Sequence, residues 1–77
     1  MNQIKKIAAY CRQNIVDYDE RVKIALGKMD RMRCDLRTAD YGLAQEIEQC
    51  ASEWADDNGY AVDFLEGIDA DEIVMEG

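Results

Sequence analysis

Stepping alternately four and three residues from Ile4 reaches Ala8, Cys11, Ile15, Tyr18, Val22, Ala25, Met29, Met32 and Leu36, ten seam positions in succession and all apolar. A stripe of that period runs along one side of an α-helix and has to be buried, so the first half of the chain is committed to helix and to a core beside it. Its phase does not slip at residues 14–19, nor at Gly27, which costs a helix about 1 kcal/mol relative to alanine without having to end it. The spacing predicts one continuous helix over about residues 3–36. Two acid-to-base pairs at four-residue spacing, Asp17 with Arg21 and Asp19 with Lys23, support its middle. Arg31, Arg33 and Arg37 crowd its final turns, where positive charge complements the helix dipole. A second arrangement competes with the rod: Asp17 as N-cap with Glu20 as its capping-box partner breaks the segment and gives a three-helix bundle.

The next stripe is Leu43, Ile47, Cys50 and Trp54, flanked by Ala44, Ala51 and Ala55, with Thr38 or Asp40 before it as a cap and Asn58-Gly59 after it as a stop. It predicts a second helix over about residues 40–57 and, with the first, an all-α helical hairpin. A first helix of about 50 Å against a second of about 27 Å leaves half of the long stripe, Ile4 to Ile15, without an intrachain partner. The tail after Gly59 carries Tyr60, Val62, Phe64, Leu65, Ile68, Ile73, Val74 and Met75, which can cover that half or meet a second copy of the chain. Asp69 followed by Glu72 suits a last short helical turn, while Ile73-Val74-Met75 equally suits a short strand. No proline or serine-rich linker divides the 77 residues, which read as a single small domain, with Trp54 as a core anchor and Tyr41 and Tyr60 at its margins.

Charge is distributed unevenly. All nine basic residues lie at or before Arg37, giving residues 1–37 a net +4, whereas residues 38–77 hold twelve acids and no base. The overall charge of −8 disfavours direct binding to nucleic acid or to an anionic membrane and favours a partner with a basic surface. Cys11, Cys34 and Cys50 form no CxxC pair and are odd in number, which points to reduced thiols and a cytoplasmic setting. The apolar run Ile7 to Cys11 is too short for a signal peptide.

Catalysis lacks an inventory. There is no histidine, Ser52 and Thr38 have no triad partners, and Cys11 and Cys50 lie on apolar stripes where cysteine serves as a small core residue. Cys34, among the arginines, reads as an ordinary surface cysteine. DDNG at 56–59 and DADE at 69–72 resemble calcium loops only superficially. Counting back from Gly59 or Gly67 as the sixth loop position puts Trp54 or Val62 where the first acidic ligand belongs. Three scattered cysteines make no zinc set, and none of the glycines stands in phosphate-loop spacing. No cofactor or metal is expected.

The unbalanced feature is the acidic half. Carboxylates fixed at intervals of one or two helical turns can imitate a row of phosphates for a basic groove. Glu46, Glu53, Asp56, Asp57, Glu66 and Asp69 are the expected partner contacts. In size, acidity and want of a catalytic motif the chain is similar to the small inhibitors that phages deploy against host nucleases, including anti-CRISPR and anti-restriction proteins. That resemblance implies a non-catalytic inhibitor acting as a nucleic-acid mimic on a nuclease or DNA-binding protein; it is one of composition and assigns no residue roles. The alternative expectation is a homodimeric scaffold, self-associating through Ile4, Ala8, Cys11 and Ile15.

Overall fold

A computed structural model describes residues 3–60 and 67–76. The described residues form five helices and no strand: α1 Gln3–Asn14, α2 Tyr18–Met32, α3 Leu36–Ala39, α4 Tyr41–Asp57 and α5 Ala70–Glu76. Val62, Phe64 and Leu65 of the tail, like Asp63 and Glu66, lie outside the described residues.

The all-α class holds, but the continuous first helix does not. α1 ends at Asn14, and Asp17 takes a left-handed conformation (φ 54°, ψ 36°) before α2 begins. Asn14, Ile15, Val16 and Asp17 are all weak helix formers, and aspartate is one of the few residues that tolerates the left-handed region. The gain lies in burial. A straight rod of about 50 Å would leave about half its length beyond a 17-residue partner, whereas the bent chain spans 37 Å at its longest and brings both halves of the stripe to one core. Cys11, Ile15, Tyr18 and Val22 remain buried straight through the break.

Asp17 occupies the N-cap position, yet its side chain makes no capping hydrogen bond, so the expected capping box with Glu20 is not formed. The ion pairs also differ from the local ones expected. Asp19 turns back across the break to accept from Arg12 Nε at 2.8 Å, and the Arg12 guanidinium lies 5.6 Å from the Tyr18 ring centre. Arg21 reaches α4 instead of Asp17.

α2 stops at Met32, where Arg33 is left-handed (φ 50°) and the amides of Arg33 and Cys34 both donate to the Met29 carbonyl. This terminus usually carries glycine, because a Cβ in that region is strained. Arg33→Gly is therefore expected to stabilise the protein by about 0.5–1 kcal/mol, seen as a melting temperature higher by about 5 °C; an unchanged or lower value would show the turn to be relaxed with arginine.

Two further aspartates start the next helices. Asp35 accepts the Thr38 amide at 2.8 Å and caps α3, and Asp40 accepts the Leu43 amide at 3.1 Å and caps α4, as one of the two expected caps. Hydrogen bonding from Thr38 holds the Asp35 carboxyl below its usual range. Its contribution is present above the unfolded carboxylate range and is lost as acid titrates it in the folded state.

α4 matches its expected span. Its stripe Leu43, Ala44, Ile47, Cys50, Ala51, Trp54 and Ala55 is buried, and Asn58 ends it by donating to the Trp54 carbonyl at 2.8 Å. Trp54 anchors the core and stacks on Tyr60 at 5.3 Å. Residues 73–75 belong to α5, whose first turn closes on the Asp69 carbonyl, so the strand alternative falls. α5 packs on α1 and α4, α3 is clasped by α2, α4 and α5, and one apolar cluster runs through all five helices. Asp71 Oδ1 accepts the Leu36 amide at 3.2 Å, tying α5 to the start of α3.

Candidate functional site

α5 decides which surfaces remain available. Ile73 and Val74 bury themselves beside α1, so the half of the long stripe that lacked a partner is covered by the chain's own C-terminal helix and by α4. Ala8, Cys11 and Ile15 are buried and Ile4 is half-buried against the same core. This corrects the expected self-association face: those side chains are already spent on intrachain packing. Ile7 lies off the stripe counted from Ile4 and is fully buried. A helix packed on two sides buries more than a single seam, and the three-four spacing from Ile4 does not mark the added flank.

The thiols belong to this interior. Burial pushes the Cys11 thiol up to about 12 and also raises Cys50, the two lying side by side between α1 and α4. Neither is a thiolate nucleophile near neutral pH. Cys34 is half-buried, its Sγ 3.9 Å from the Lys28 carbonyl. Tyr18 is buried at the break, and its hydroxyl finds no hydrogen-bond partner among the described residues. Burial raises the phenol to about 12. Tyr18→Phe is expected to leave stability unchanged or to raise it by about 1 kcal/mol; a loss of that size in a denaturant titration would show that the hydroxyl is bonded.

The expected contact acids separate into distinct settings. Glu46 on α4 is held by Arg21, which also approaches Asp40 at 4.0 Å, and neighbouring Glu48 is held by Arg37, whose guanidinium lies over Tyr41. The first half of α4 is thus neutralised by basic residues from earlier in the chain. Asp69 stands apart, lining a groove of about 210 Å³ with Asp35, Arg37, Glu48 and Asp71. Glu66 lies outside the described residues.

Glu53, Asp56 and Asp57 share the C-terminal turns of α4. All three are exposed, and no ion pair involves them among the described residues. Glu53 accepts from the Tyr10 hydroxyl and from Gln49 Nε2, each at 3.4 Å. Tyr10 registers the local field: desolvation, then the charges of Glu53 and Asp57, hold its phenol above the usual range. The last turn of α4 contains no basic residue, so these carboxylates stand at the negative end of a 17-residue helix. No group of three or more cysteine or acidic side chains among the described residues is placed to hold a metal ion, and no described helix is long and apolar enough to cross a membrane. No protein-family model, curated protein or solved structure matches the chain.

Proposed function

We propose that the protein is a non-catalytic binding module whose acidic end of α4 occupies a basic, nucleic-acid-binding surface of a partner protein. Glu53, Asp56 and Asp57 form the contact, with Tyr10 beside them as a flat, half-buried apolar element. The carrying observation is their placement. Acids at a helix C-terminus oppose the macrodipole and each other, at about 0.3–1 kcal/mol apiece, and no basic side chain among the described residues pairs with them. The N-termini of α3 and of α4 itself do follow local rules, with Asp35 and Asp40 as caps. A local rule broken without an internal return supports a surface shaped by something outside the chain. The lack of histidine and the protonated, buried Cys11 and Cys50 support binding over catalysis.

Stability and affinity measured together separate a binding site from a merely solubilising charge. In the triple variant Glu53→Gln, Asp56→Asn, Asp57→Asn, the free protein should gain about 1 kcal/mol in stability while its affinity for the partner falls at least about tenfold. The assay is displacement of a fluorescent DNA duplex from each of a panel of basic nucleases and repressors. The intact protein should compete with DNA on at least one of them, and that competition should weaken steeply between about 50 and about 200 mM salt. Failure to compete with any of them, or competition that the triple variant retains, overturns the assignment.

A further inference from the structure

We propose that the outer face of α2 docks onto the same face of a second copy of the chain, antiparallel about a twofold axis between Ile24 and Gly27. Glu20, Lys23, Ile24, Gly27, Asp30 and Arg31 line one open groove along this helix, and all six are exposed. Ile24, 55% exposed, is the apolar side chain within the groove. Gly27 sits in mid-helix, where it is less favourable than alanine, yet among the described residues a Cβ there would meet nothing within 4 Å. No contact among the described residues requires the glycine.

The charges choose the occupant. Glu20, Ile24, Gly27 and Arg31 follow a four-three-four spacing and form a seam. In an antiparallel pair centred between Ile24 and Gly27, Ile24 of each copy enters the notch left by the partner's Gly27, and Glu20 meets the partner's Arg31. On one flank Lys23 then faces the partner's Asp30. Twofold symmetry makes each of these pairs twice, giving four opposite-charge contacts around two apolar ones. Among the described residues none of these four charged side chains has an ion pair within its own chain. On the other flank the register brings Arg21 near the partner's Lys28, and this like-charge approach is relieved because Arg21 is drawn to Glu46 and Asp40. A parallel pair would instead set each charge against its own copy.

A single 15-residue helix buries less than the roughly 800 Å² per partner of a standard interface, so the dimer should be weak, with a dissociation constant of about 10–100 µM. The pairing does not depend on the acidic end of α4.

Sedimentation equilibrium of the full chain from about 10 µM to about 1 mM tests it, with circular dichroism as a check on folding. The intact protein should pass from monomer to dimer. Glu20→Arg should raise the dissociation constant at least about tenfold, and the swap Glu20→Arg with Arg31→Glu should restore it, because the cross-pairs are rebuilt with reversed sign. Gly27→Leu fits the open groove of the monomer and should abolish pairing by filling the notch. A protein that stays monomeric at about 1 mM, a dimer that tolerates Glu20→Arg, or a swap without recovery each overturns the proposal.

Discussion

Ile73→Asp should unfold the protein or cost it about 4 kcal/mol or more, the largest effect expected of any single substitution discussed. Ile73 is 1% exposed, on a seven-residue helix that also buries Ala70 and Val74. A carboxylate there has no cation to meet within the core and must either remain charged without solvent or pull α5 away. Detachment would uncover part of the buried face of α1, since α5 is one of the helices that pack against it. Urea titration with circular dichroism measures the loss. Met75→Asp is the control on the same helix: Met75 is 69% exposed, and its substitution should change stability by no more than about 0.5 kcal/mol. Similar losses for the two variants would mean that α5 does not pack as described.

The second large effect is expected at Leu36. Its side chain is fully buried in α3, the four-residue helix between α2, α4 and α5. Leu36→Ala removes buried methyl groups from a point where three helices converge and none can easily move in, so the expected cost is about 2–5 kcal/mol. Met32 occupies the preceding position on the same sequence stripe, yet it is 62% exposed, and Met32→Ala should cost about 0.5 kcal/mol or less. Equal costs would support a helix running unbroken through both residues.

That contrast shows where periodicity informs and where it stops. The stripe marks which residues face the core, because Ala8 to Ala25 and Leu36 are buried at the spacing read from Ile4. It does not reveal that the backbone turns at Asp17 and again at Arg33, since the first turn keeps the buried phase intact and the second, after the exposed Met32, returns the chain to the core at Leu36. The signal for the first break was local: four weak helix formers in succession, Asn14 to Asp17. α4 was legible in full because one face, one capping aspartate and one terminal Asn-Gly all agree on its span. Length alone pointed to a need for cover over the start of α1, although only the folded chain shows α5 supplying it.

The acidic site was legible as composition and not as geometry. Sequence arithmetic treats Glu46, Glu53, Asp56 and Asp57 alike. Tertiary structure divides them, because Arg21 comes from 25 residues away to hold Glu46, whereas no basic side chain among the described residues reaches the end of α4. Contacts of that range depend on how α2 lies beside α4, which no local pattern encodes. The outer face of α2 was hidden for the opposite reason: its charges alternate in sign and cancel in any count.

Closure of α1 by the chain's own C-terminal helix underlies both proposed surfaces, since an open α1 would offer a larger apolar docking face than either. Isotope-filtered nuclear Overhauser spectroscopy on a mixture of labelled and unlabelled protein distinguishes contacts within one chain from contacts between copies. Methyl groups of Ile73 and Val74 should show intrachain contacts to the apolar side chains of α1. Contacts from α1 to a second molecule in place of α5, or an α1 whose methyls see only solvent, would contradict the fold and the surfaces drawn from it.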